Sequence, residues 1–227
     1  MSNKQSQRSR SFPSGMLLVL RGLVSLMRKV NVIEGLYDIE EGLQHTQATR
    51  FAIEFLKTNP AIAQIMAERY LAPAPECDRL LQYPHNSLAY AYGTHLKQAN
   101  LNPNFFRQVE VVDDASYLFQ RLRQTHDIWH VITGFGIDSL GEMELKAFEY
   151  AQTRRPMAVV LIGLVILSEV FKAPTELGTF FDRITAAYQF GARVKPLFAQ
   201  KWEEHWEKPV AEWRQELGMQ PELQGVT

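Results

Sequence analysis

Residues 113–154 read DDASYLFQRLRQTHDIWHVITGFGIDSLGEMELKAFEYAQTR, and this stretch decides the fold. Asp113-Asp114 opens a helix whose row Phe119, Leu122, His126 keeps helical spacing as far as Thr133. Gly134-Phe135-Gly136 ends it. Ser139-Leu140-Gly141-Glu142 has the spacing of a capping box and starts a second helix, running to about Arg154. Two helices joined by so short a turn predict an αα-hairpin.

The same period extends both ways. Downstream, Pro156 opens an apolar helix that Pro174 closes. Its run Met157 to Leu167 is too short for a bilayer, which needs roughly 20 residues, and is expected to be the central buried helix. Residues 176–194 and 197–217 are predicted helical. The last carries a packing stripe, Trp202, Trp206, Val210, Trp213 and Leu217, with Gly218 as its stop.

Upstream, Ala48, Phe51, Ala52, Phe55 and Leu56 form an apolar stripe. Asn59-Pro60 begins a helix through about Tyr70. The prolines make 72–86 a loop, and Ser87 caps a helix with the stripe Leu88, Ala91, Tyr92, His95 and Leu96. A loop follows from Ala99 to Val112. Met16 to about Val32 reads as an amphipathic helix with Arg21, Ser25, Arg28 and Lys29 on one face. Such a helix suits a membrane interface or a core edge equally well. No alternating strand pattern, repeat, GxGxxG or Walker sequence occurs. The expectation is an all-α fold, a single-domain multi-helix bundle over 16–220. A basic flexible tail precedes it at 1–15 and a short tail follows at 221–227.

Composition agrees. The 227 residues are 46% hydrophobic and 22% charged, a globular balance that excludes a disordered or collagenous chain. One cysteine, Cys77, excludes an internal disulfide and a Cys-rich zinc site and suits a reducing compartment. A net charge of −1 argues against nucleic-acid binding. The charge is uneven, however: Lys4, Arg8, Arg10, Arg21, Arg28 and Lys29 stand in an acid-free first 33 residues. That arm reads as a transit peptide, a membrane-surface arm or a solvated tail. It is a poor secretory signal, because Arg21 breaks the apolar stretch Met16–Leu20.

The chemistry centres on His126-Asp127-x-x-His130, followed after eleven residues by Glu142. At about 100° per residue the two imidazoles and Asp127 share one inward helix face. His130 and Glu142 each lie about one turn from the hairpin bend, so they can meet. Buried polar groups need partners, and four such ligands suit a divalent cation: zinc, manganese or iron, and less readily magnesium. Each has an ordinary alternative. Asp127 could pair with Arg123, Glu142 could serve the capping box or Lys146, and an inward histidine is commonly structural. A different set, His95, His126-Asp127 and Asp182, has the order of a His-Asp metal phosphohydrolase. His45 and His205 read as surface residues and His85 as a loop residue.

The motif and its surroundings resemble the ubiquinone (coenzyme Q) biosynthesis protein four family. Val112-Asp113-Asp114, Leu140-Gly141-Glu142, Phe148-Glu149, Gln152-Thr153 and Pro156-Met157 match its flanks. Lys201-Trp202-Glu203-Glu204 and Glu216-Leu217-Gly218-Met219 match its end, so the likeness covers about 35–220. In place of the family's usual Leu-Gly-Met-Pro-Thr-Asn-like turn stands Thr133-Gly134-Phe135-Gly136-Ile137-Asp138. The resemblance implies an all-α protein on a membrane surface, cytoplasmic or, in a eukaryote, on the matrix side of the mitochondrial inner membrane. It implies prenylated-lipid binding, decarboxylation and hydroxylation of a polyprenylated benzoate, and organisation of other quinone-biosynthesis enzymes, with homo-oligomerisation expected. His126, Asp127, His130 and Glu142 would be its metal and catalytic residues. A non-enzymatic carrier of polyprenyl phosphate is the alternative. Either way the anionic head is expected at the metal, with the tail between the Met157–Leu167 helix and the N-terminal helix.

Overall fold

The computed structural model describes residues 12–103 and 106–219. The tail expected at 221–227, and most of that at 1–15, lie outside the described residues. The chain order is α1 (Phe12–Met27), α2 (Val32–Leu43), α3 (Gln47–Lys57), α4 (Pro60–Glu68), α5 (Cys77–Leu80) and α6 (Leu88–Gln98). Then come α7 (Asp114–Thr133), α8 (Ser139–Thr153), α9 (Pro156–Lys172), α10 (Leu177–Arg193) and α11 (Val210–Glu216). Short 3₁₀ turns occupy Pro174–Glu176 and Trp202–Glu204, and no strand forms among the described residues. The fold is all-α, as its helical periods predict.

Local chemistry sets the ends of the two site helices. The Asp113 side chain accepts from the Ser116 amide while the Ser116 hydroxyl caps back, a reciprocal box at the head of α7. Gly134 closes α7 at φ 82°, a left-handed conformation that glycine adopts without a Cβ clash. The cap of α8 is Asp138, which accepts from the Gly141 amide at 2.7 Å. Ser139 is already helical, so the capping box expected there does not form and Glu142 is left for another partner.

Four other expectations are corrected. The N-terminal helix does not reach Val32: it stops at Met27, Lys29 and Asn31 adopt positive φ, and a separate helix α2 begins at Val32. The loop at 72–86 contains the single turn α5. Phe51 is exposed, and α3 buries Thr49, Ala52 and Leu56 instead. The continuous helix at 197–217 does not form either, because Pro209, lacking an amide proton, stands just ahead of α11. The turn there instead caps α6, its Trp206 and Lys208 carbonyls accepting from the Ala89 and Leu88 amides at 2.9 Å. The tryptophans still pack: Trp202 lies 4.7 Å from Trp213 and Trp206 stacks on Tyr92.

The buried centre is α7, not the apolar helix. Tyr117, Leu118, Leu122, Ile128, Trp129 and Ile132 of α7 join the larger core. α9 buries only Met157, Ala158 and Leu161, while Val159, Leu167, Val170 and Phe171 are exposed. A second, smaller core joins Ile39 of α2 and Met143 of α8 to Met157, Leu161 and Phe180. α1 and α2 form a tight hairpin at glycine contacts. A Cβ on Gly22 would stand 2.4 Å from the Gly35 carbonyl oxygen. Among the described residues no helix is long and apolar enough to cross a membrane.

Candidate metal centre

α7 and α8 bring His126, His130 and Glu142 to one point. His130 Nε2 lies 3.3 Å from Glu142 Oε1 and 3.3 Å from His126 Nε2, and His126 Nε2 lies 3.4 Å from Glu142 Oε2. The orientation of His130 is fixed from behind. Its Nδ1 stands 3.1 Å from the Phe135 carbonyl oxygen, which can only accept, so Nδ1 carries the proton. In the neutral ring, Nε2 then turns a lone pair toward the Glu142 carboxylate. Two acceptors at this distance need a proton or a cation between them.

The donor set fits a cation. Bonds of 2.0–2.1 Å to nitrogen and oxygen in a tetrahedral shell separate neighbouring donors by roughly 3.3 Å; the two imidazole nitrogens are 3.3 Å apart, and Glu142 turns a different oxygen to each of them at 3.3 and 3.4 Å. His130 is buried, whereas His126 and Glu142 are about a third exposed on the cavity side. Burial disfavours the charged form of Glu142, but the two imidazoles beside it outweigh that and hold its carboxyl well below the usual range.

Asp127 stands apart from this group. Its Oδ1 lies 3.5 Å from His95 Nε2 on α6, and the His95 ring stacks 5.8 Å from that of His130. Burial again opposes ionisation of Asp127, and His95 with the neighbouring imidazoles more than offsets it. Among the described residues, three and not four side chains therefore form the group that could hold an ion. The ordinary pairings do not form either: Arg123 bonds Glu40, and Lys146 bonds Glu149. Asp182, needed by the phosphohydrolase set, is exposed on α10. His45 and His205 are exposed as expected, and His85, in its loop, is exposed as well.

The triad opens into a cavity of about 1030 Å³, at the top of the range for small-molecule sites (about 300–1,000 Å³). Its walls are the two helices anticipated, α9 through Leu161, Leu164 and Val165, and the end of α1 through Leu26 and Met27, together with the unanticipated α2. Glu40, Arg123, Lys146, Glu149 and Arg155 add a charged wall. Sequence reading missed that wall. Its one visible signal is Glu142, Lys146 and Glu149 at i, i+4 and i+7 on a single face.

Fold and site together define a class: an all-α protein with an inward His-His-Glu triad at the head of a deep, mainly apolar cavity. A family sequence model described as coenzyme Q (ubiquinone) biosynthesis protein Coq4 matches residues 36–222. A protein of Uncinocarpus reesii named ubiquinone biosynthesis protein COQ4, mitochondrial, is 32% identical over 200 residues, covering 83% of this chain and 70% of its own. The Saccharomyces cerevisiae protein of that name is 36% identical over 142 residues, 62% of this chain and 42% of its own. A crystal structure of a Nostoc punctiforme protein named for ubiquinone biosynthesis superposes with a TM-score of 0.83 at 32% identity, over 93% of this chain and 99% of that one. The chain belongs to the Coq4 family of ubiquinone biosynthesis.

Proposed function

We propose that the chain holds a divalent cation at His126, His130 and Glu142 and a prenylated lipid with an anionic head in the adjoining cavity. Its reaction is decarboxylation of a polyprenylated benzoate, carbon dioxide leaving and a proton taking its place on the ring, or hydroxylation of that ring with dioxygen as the external oxidant. The observation that carries this reading is the triad, its ligand atoms within 4.8 Å of one another, opening into a largely apolar cavity. A bound cation supplies a Lewis-acid centre that offsets the charge of a buried carboxylate. The residues do the rest. Phe135 holds His130 in the tautomer that offers Nε2, Asp127 and His95 brace the neighbouring turn, and Leu161, Leu164 and Val165 keep water from the tail. Each buried methylene contributes about 0.8 kcal/mol, so a few isoprene units suffice for tight binding.

A membrane seat fits the same geometry. Met27, Ile33, Leu167 and Phe171 line the cavity and are also exposed, giving its mouth an apolar rim. The basic residues Arg28 and Lys29 stand beside it, suited to anionic headgroups. Association with other quinone-biosynthesis enzymes and with further copies of the chain belongs to this reading, as does the mitochondrial matrix face for eukaryotic members. The test is mass spectrometry of lipid extracted from the purified protein together with metal analysis. Prenylated benzoate with stoichiometric metal is the expected result. Polyprenyl phosphate would make the protein a carrier, and the absence of both lipid and metal would end the reading.

A further inference from the structure

The charged wall of the cavity is a chain of alternating signs. Lys146 donates to Glu149 at 2.8 Å, and Glu149 accepts from Arg155 at 2.9 Å. Arg155 also bonds Glu40, whose second oxygen takes Arg123. All five line the cavity. The chain thus ends in cations on both sides, three against two carboxylates. Arg155 in the middle meets two carboxylates, while Lys146 and Arg123 at the ends meet one each among the described residues. The Nε groups of Arg123 and Arg155 are buried with no hydrogen-bond partner among the described residues. Asp127 and Glu142 line the same cavity, so the excess of cations belongs to this wall alone; what it leaves unmet is the pair of buried Nε donors, and a buried donor without an acceptor is costly.

The two ends point to the same place. Arg123 precedes His126 on α7 by three residues, and Lys146 follows Glu142 on α8 by four. Each half-paired cation therefore lies about one turn, roughly 4.5–6 Å along its helix, from the triad. We infer that Lys146 and Arg123, backed by Arg155, form an anion-recognition site in the cavity beside the metal triad. A carboxylate or phosphate bound between them would close the alternating chain. This assigns the anionic head of the ligand to the cationic wall and leaves the triad for the atoms next to it. The inference takes its ligand class from the proposed lipid reading.

The test is equilibrium binding to the metal-loaded full chain, using a 3-farnesylbenzoate, farnesyl phosphate, farnesol, and benzoate without a tail. Farnesol carries the tail and no anion, so it also reports that each variant is folded. Hydrogen bonds to charged groups are strong enough that Lys146→Met should weaken the matching anionic ligand at least about tenfold. Farnesol affinity should not move, and Lys146→Arg should restore most of the loss. Whichever of the carboxylate and phosphate probes loses more identifies the head group the site takes. Equal weakening of farnesol, or no weakening of either anionic probe, overturns the inference while leaving the lipid reading intact. If no farnesyl probe binds the native protein, the lipid reading falls and benzoate decides. Binding of benzoate that depends on Lys146 sustains the anion site, and its absence removes it.

Discussion

His130 shows how a single side chain is committed. Its Nδ1 is engaged by the Phe135 carbonyl and its Nε2 faces Glu142, so it has one free role left. His130→Ala is expected to remove metal binding, since one of three protein donors disappears; equal metal content in both proteins after dialysis would refute this. Asp127→Asn should be milder, a loss of about 10- to 100-fold in metal affinity, because Asp127 braces the site through His95 and donates nothing to the triad. Competition with a chelating dye distinguishes the two. Glu149 sets an acid limit on stability. Burial alone would raise its pKa, but Lys146 and Arg155 hold it down at about 2 against an ordinary 4.5. A depressed carboxylate stabilises the fold above its unfolded pKa and loses that contribution as pH falls through the folded value. Denaturant midpoints should therefore drop between about pH 4.5 and pH 2, and Glu149→Gln should flatten that slope at a lower starting stability.

At the scale of elements, the α1–α2 hairpin is the piece most sensitive to small changes. Gly22 rests against the Gly35 carbonyl and against Ile39 of α2, with no room for a Cβ. Gly22→Ala is expected to cost about 1–3 kcal/mol by overpacking, concentrated in residues 12–43. Hydrogen exchange should show faster exchange in α1 and α2 with α7 and α8 unchanged. Uniform loss of protection would mean that the hairpin and the bundle unfold as one unit. The hairpin matters for function because α2 brings Glu40 to Arg123 and Arg155 and forms one wall of the cavity.

Across the whole molecule, the cavity joins α1, α2, α7, α8 and α9, so its contents depend on their joint packing. A charge placed among its apolar walls tests that directly. Val165→Asp should abolish binding of a geranylgeranyl ligand while metal content stays at the native level, because burying an unpaired carboxylate against hydrocarbon is costly. Retained lipid affinity would place the tail elsewhere.

Sequence by itself determined the helical class and the meeting of His126, His130 and Glu142, although it counted Asp127 with them. Helical period, Asp113, Gly134 and the prolines are local signals, and they placed α7, α8 and α9 to within a few residues. The matched distances of His130 and Glu142 from the turn were enough to predict their meeting, because a hairpin bend fixes depth along both helices. Other features depend on neighbours remote in sequence. Ser139 has the spacing of a cap, but Asp138 one residue earlier wins the Gly141 amide. The pairing of Asp127 with His95 relies on α6 lying against α7. The apolar run in α9 is hydrophobic on all sides whether it is buried or walls a cavity, and only the placement of α2 and α8 decides between them. The alternating chain from Lys146 to Arg123 likewise spans residues 40 to 155, so no local pattern could reveal it. Local periods and caps settle which helices form; which charges meet is settled by how those helices pack.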